Sequence, residues 1–219
     1  MLLEFGGRTL IDRHLGALSD NGVTAVSITT GHGAGMLEQA LAARAATVFN
    51  PDYRDGSLIS LWAQRDLLRS GRTVLLMDGD VLYDARMLER LLSAQGDAVL
   101  LVDRELEPGD EPVKVCFRNG HMVDFRKLPE HAHDWHGESV GFFRFSPEMA
   151  ALLADRVDAR VAAGERKTEY EEAIRDLILA MPERFAHTDV TDLPWTEIDF
   201  PEDVAKARDI VLPQLFEKA

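Results

Sequence analysis

One cysteine, Cys116, is present in 219 residues, which excludes an internal disulfide and any zinc centre built on several thiolates. Positive charge is scarce as well: 24 Lys and Arg face 38 Asp and Glu, a formal net charge of −14. That sign repels a phosphate backbone and an anionic lipid surface, so neither nucleic acid nor a membrane is an expected partner. A phosphate-bearing ligand must then be received locally, by a metal ion, by helix N-termini or by a few placed Lys and Arg. No apolar run approaches the ~18 residues of a membrane span. The start, Met1 to Arg8, lacks the basic and apolar regions of a secretion signal. Internal repeats and low-complexity segments are also missing. These absences lead to the expectation of a soluble, cytoplasmic, acidic protein, and a hydrophobic fraction of 46% is enough for a folded core.

The first two-thirds alternates amphipathic stretches with short β-rich runs, the rhythm of an α/β sheet. Helix is expected over Thr9–Asn21, Met36–Ala43, Leu58–Leu68 and Ala85–Ala94; strand is expected over Val23–Thr29, Thr47–Phe49, Thr73–Met77 and Ala98–Val102. The continuous apolar run before Asp78 reads as a central strand buried on both faces, whose C-terminal end is where ligands sit in open α/β sheets. An acidic, turn-rich stretch over Glu105–Asp110 breaks the rhythm. Beyond it, Asn119-Gly120 between alternating apolar residues predicts a β-hairpin. A polar loop over His131–His136, a strand over Glu138–Phe145, helices over Pro147–Ala163 and Glu169–Met181, a strand over Trp195–Asp199 and a helix over Pro201–Leu215 complete the expectation.

Several residues are candidates for chemistry. Asp78 and Asp80 end a strand two residues apart, a placement that suits a hard cation bridging phosphates and equally suits a turn. Asp199, just before Pro201, is either a helix cap or a carboxylate partner from a second strand end. His131, His133 and His136 fit no helical ligand spacing and read as a polar loop. Trp135 is either a lid residue or, beside Glu138, an ammonium receptor by cation–π contact and charge. Gly31 to Gly35 reads as a tight strand-to-helix connection, and Ser57 as a helix N-cap.

Four segments together resemble the small sugar-phosphate nucleotidyltransferases of the MobA-like NTP transferase type, nearest to the phosphocholine and phosphonate cytidylyltransferases. They are Leu2–Leu10, Asn50–Trp62, Met77–Asp80 and Trp195–Asp203, with the strand from Glu138 as a fifth likeness. The resemblance implies a Rossmann-like mixed sheet flanked by helices, with a small β-hairpin excursion. It implies one nucleotidyltransferase domain over 1–219, residues 1–104 forming the nucleotide-binding half and 105–219 the acceptor-binding half. Asp80 and Asp199 would be the catalytic magnesium ligands. Asn50, Ser57, Ser60 and Asp78 would border the nucleotide, and Glu138, Trp135 and Tyr170 would face the acceptor. The implied reaction transfers a nucleotidyl group, CMP from CTP being favoured, to phosphocholine, 2-aminoethylphosphonate or a similar acceptor. A sugar 1-phosphate acceptor, a non-catalytic nucleotide-binding domain and a glycosyltransferase with an Asp-x-Asp site stay open beside it, and so does a homodimer. The resemblance also implies a strand and a glycine-rich loop that would precede Leu2, so that element is expected upstream of the sequence given.

Overall fold

The computed structural model describes residues 1–106 and 112–216. A short hairpin of β1 (Glu4–Phe5) and β2 (Arg8–Thr9) leads into α1 (Leu10–Asp20), whose N-terminus Thr9 caps by accepting from the Asp12 amide. Then follow β3 (Ser27–Thr30), α2 (Ala34–Leu41), β4 (Ala46–Phe49), α3 (Ser57–Trp62), α4 (Arg65–Leu68), β5 (Val74–Met77), β6 (Val81–Tyr83), α5 (Arg86–Ser93) and β7 (Ala98–Asp103). The second half contains β8 (Lys114–Arg118), β9 (His121–Arg126), β10 (Trp135–Phe145), α6 (Pro147–Ala162), α7 (Glu171–Ala180), β11 (Phe185–Asp189) and β12 (Trp195–Glu197). α8 (Pro201–Lys206) continues through a π-helical turn, Ala207–Val211, into α9 (Leu212–Phe216). None of the described helices is long and apolar enough to cross a membrane.

Six strands form the main sheet in the order β11-β7-β10-β8-β9, with β5 also paired to β10. Only β11 and β7 run parallel; the remaining ladders of this sheet are antiparallel. The architecture is therefore the expected mixed sheet flanked by helices. Side-chain alternation along β7 sets the layers: Ala98, Leu100 and Val102 face a core shared with α3, α6 and α7, while Val99 and Leu101 face one shared with α1 and α5. β8 and β9 form the hairpin excursion, closed by Asn119 and Gly120 at φ of 52° and 81°, which the Asn-Gly pair supplies with little strain.

The structure departs from the expectations in instructive places. The strand expected from Val23 begins at Ser27, where its ladder with β4 starts. The helix expected over Leu58–Leu68 breaks after Trp62, where Gln64 turns its amide group to Ser27 and Thr29 of β3. β5, expected to be buried on both faces, is mostly half-buried, because among the described residues it pairs along one edge only; β7, paired on both edges, is the fully buried strand. β10 starts at Trp135, so Trp135 and His136 lie in a strand rather than in the polar loop. The short strands β6 and β11 were not expected, and residues 107–110 of the acidic break lie outside the described residues.

Candidate active site

One edge of β10 is shared by two partners. β8 pairs with it from Trp135 to Glu138 and β5 from Phe142 to Phe145, leaving residues 139–141 between the two ladders. Gly141, at φ +75°, sits in this gap, beside a shift of register against β7, and its carbonyl accepts from the Asp78 amide at 3.1 Å. A cavity of about 710 Å³ opens here, over the turn Asp78-Gly79-Asp80 that ends β5. Its other walls come from Asp103 and Glu138 on β7 and β10, from Glu197 and Asp199 at the end of β12, and from Tyr170 and Glu171 at the start of α7. Ligands sit at strand ends in such sheets because turns there expose backbone and side chains that the ladders leave free.

Asp80, Glu197 and Asp199 each offer a carboxylate oxygen within 4.8 Å of the others, an all-oxygen donor set that suits a hard divalent cation. The structure thus brings together the two aspartates expected to pair, from two separate strand ends. Glu197 was missed, although its spacing of two from Asp199 was a usable signal, since alternate strand residues share a face. Burial and the neighbouring charges of Asp199 and Asp80 push the Glu197 carboxyl up to about 7. The alternative role of Asp199 as a cap is filled by Asp203, whose carboxylate accepts from the amides of Asp199 and Phe200 at 3.0 and 2.7 Å.

Asp78 has a different environment from Asp80. Its carboxylate accepts from the Tyr170 hydroxyl at 2.7 Å, and burial raises its pKa well above the ordinary value. Glu138, 8% exposed, is pushed up to about 7 by burial, with Asp103 adding to the shift. Asp103 in turn accepts from the Trp195 indole N–H at 2.7 Å. Glu171, also missed, lines the cavity with its Oε2 buried and without a hydrogen-bond partner, and burial pushes it up to about 7. Lys127, Lys167 and Lys206 are the cations in these walls.

Trp135 is not brought to the cavity. Its ring stacks on Phe117 at 4.0 Å and 9°, with the Arg104 guanidinium 4.6 Å above it, so the surface expected for an ammonium is already covered. Asn50 and Ser60 also lie outside the lining. Asn50, 2% exposed, donates to Ser60 Oγ at 3.2 Å and accepts from the Asp52 amide, which braces the loop. Ser57 does line the cavity, but as the first residue of α3 rather than its cap; its Oγ accepts from the Tyr170 amide at 2.9 Å. Gly31 packs where a Cβ would lie 2.4 Å from Tyr53 Cβ, in keeping with a tight connection. The loop histidines bond locally, His131 to Asp124 and His133 to His136, and join no metal-ligand group among the described residues.

With this geometry in place, comparison with known proteins gives the family. A bifunctional IPC transferase and DIPP synthase of Rubrobacter xylanophilus is 28% identical over 219 residues, covering 96% of this chain and 47% of that protein. A CMP-5'-(3-aminopropyl)phosphonate synthase of Streptomyces rubellomurinus is 26% identical over 220 residues, covering 94% of this chain and 34% of that protein. The chain therefore spans less than half the length of these curated relatives. The solved inositol-1-phosphate CTP transferase of T. maritima superposes with a TM-score of 0.74 at 16% identity, covering 99% of this chain and 85% of that one, and so shares the fold. Residues 1–141 match the MobA-like NTP transferase domain, and the chain belongs to that family.

Proposed function

We propose that the chain is a cytidylyltransferase that joins CTP to a small phosphorylated or phosphonylated acceptor bearing an ammonium group, and releases pyrophosphate. The observation that carries this reading is the meeting of Asp80, Glu197 and Asp199 over a cavity whose acceptor wall holds further carboxylates, buried at Glu138 and Asp103 and half-buried at Glu171. Such a wall repels a second anion and favours a cation, so an acceptor with an anionic head and an ammonium tail satisfies both ends. The aminopropylphosphonate named for the Streptomyces relative has this chemistry.

The acceptor oxygen attacks the α-phosphorus of the nucleotide; the new O–P bond forms as the bond to the β-phosphate oxygen breaks and pyrophosphate departs. The acceptor oxygen is already ionised near neutral pH, so no residue has to remove a proton. Asp80, Glu197 and Asp199 would hold magnesium, which supplies charge neutralisation at the transferring phosphorus when bound. Lys127, Lys167 and Lys206 offset the remaining phosphate charge in a protein that is otherwise acidic. Glu138 and Glu171 receive the ammonium and thereby orient the acceptor oxygen.

Pyrophosphate release with each of the four nucleoside triphosphates and magnesium, against phosphocholine, 2-aminoethylphosphonate, inositol 1-phosphate and sugar 1-phosphates, tests the reading. Release with CTP and an ammonium-bearing acceptor is expected. The Rubrobacter and T. maritima proteins favour a second reading, a polyol phosphate acceptor whose hydroxyls bond to the same carboxylates. Release with inositol 1-phosphate alone would select it, and silence with every pair would overturn both.

A further inference from the structure

Two helices start at the rim of the cavity, and neither has a side-chain cap of its own: α3 follows Gly56 and α7 follows Tyr170. They are stitched to one another. The Tyr170 amide donates to Ser57 Oγ at 2.9 Å, and the Leu58 amide donates to the Thr168 carbonyl at 3.2 Å. A Cβ on Gly56 would lie 2.7 Å from Thr168 O, so the junction closes only on a glycine. From here the Tyr170 side chain, 6% exposed, runs to the end of β5 and donates to Asp78 Oδ2 at 2.7 Å. Its ring meets Phe143 of β10 edge-on at 6.0 Å. Asp78 is held from the opposite side, since its amide donates to Gly141 and a Cβ on Gly141 would lie 2.0 Å from its Oδ2. The hydroxyl of Tyr170 is thereby committed to Asp78, and its backbone to α3.

We propose that Tyr170 is a positioning residue: together with Ser57 and Asp78 it fixes the first turn of α7, and hence Glu171, relative to Asp80, aligning the acceptor without touching it. What is aligned rests on the cytidylyltransferase reading; the coupling of the two segments does not. Loss of the hydroxyl leaves a buried carboxylate without its donor, and both ends of the bond are then free to shift. Misplacement by about 1 Å is enough to cost about 100-fold in a group transfer.

Tyr170→Phe keeps the ring and removes the hydroxyl. Hydrogen exchange on the free protein is the first readout. The amides of Ala173 and Ile174, which donate to the Tyr170 carbonyl, and the amide of Asp78 are expected to lose protection together, by about tenfold or more. Unchanged protection, or a loss confined to α7, overturns the coupling whatever the activity. Turnover is the second readout: because Glu171 is the group displaced, kcat/KM is expected to fall about tenfold or more for an ammonium-bearing acceptor and by less for one lacking the ammonium, with the KM for CTP unchanged. A joint loss of protection with no loss of turnover for the ammonium-bearing acceptor, or with an equal loss for both acceptors, would overturn the positioning of the acceptor through Glu171. Should the wild-type protein turn over no pair, the function falls and the exchange result still decides the coupling. If Tyr170→Phe does not fold, Ser57→Ala is expected to produce the same joint loss at smaller amplitude, and a loss at α7 alone overturns the coupling.

Discussion

Two clusters of carboxylates meet α7, one at Arg175 and one at Glu171, and they are treated in opposite ways. Asp124, a fully buried residue of β9 in the hairpin, accepts from Arg175 Nε at 2.6 Å, from the amides of Glu130 and His131, and from the His131 ring. Burial alone would raise its pKa, yet these donors hold it far below the ordinary carboxylate range. In the cavity, burial prevails: Glu138, Glu171 and Glu197 are all pushed up to about 7, and Asp80, Glu171 and Glu197 make no ion pair among the described residues. Where acid serves the scaffold, the fold bonds a cation and amides directly to it; where it faces the cavity, burial outweighs the nearby lysines. A cluster of carboxyls raised in this way costs stability in the free protein near neutral pH, which is a cost characteristic of binding sites.

The sharpest way to break this contrast is to remove one member of each cluster. Asp80→Ala and Asp199→Ala are each expected to lower kcat by about 10³-fold or more without loss of Tm, because a repulsive charge goes with the catalytic one. Turnover within tenfold of wild type would refute the metal role. Asp124→Ala should do the reverse, costing about 3–5 kcal/mol in denaturant unfolding by removing the buried acceptor shared by Arg175 Nε and the amides of Glu130 and His131. Smaller effects sharpen the comparison within the cavity. Glu138→Gln is expected to raise the KM for an ammonium-bearing acceptor about 10–100-fold while leaving the KM for CTP within twofold. Trp135→Ala, by contrast, should cost about 3 kcal/mol of stability through the lost Phe117 stack and leave acceptor KM unchanged, as checked by the same assay.

How far the sequence foretold this depends on which force acts. The hairpin, β7 and the helices other than the broken one over Leu58–Leu68 follow from local periodicity and turn chemistry, and they emerge near where expected. Asp80 and Asp199 were legible because strand ends and a family likeness converge on them. Glu171 was not: it opens an amphipathic helix, where an acidic residue in the first turn is ordinary, and only the tertiary packing places it in the cavity wall with one oxygen buried. Trp135 shows the opposite error, and Ser57 reaches the cavity in a role other than the helix cap expected of it. Each neighbours a functional segment in the chain, but pairing decides its surroundings, β8 presenting Phe117 to Trp135 and α7 presenting its first amide to Ser57. Side-chain partners drawn from more than 90 residues away, as for Asp78 with Tyr170, leave no local trace.

The smallest expected effect tests the energetic side of the contrast directly. The Glu171 carboxyl has an ordinary value of 4.5 and is pushed up to about 7 in the folded chain, so the folded state holds this proton more tightly than the unfolded state does. Its contribution is fully present below pH about 4.5 and is lost as pH rises through about 7, with a ceiling of about 3 kcal/mol that water at the partly exposed residue reduces. Glu171→Gln carries no such charge. The difference in Tm between variant and wild type should therefore move in favour of the variant as pH is raised from 5 to 8; remote titrating groups cancel in the comparison, and Asp78 and Glu197, which the Glu171 charge raises, move it in the same direction. A difference that stays constant over that range would mean that the folded chain already compensates Glu171, and the cavity would then resemble the Asp124 cluster rather than oppose it.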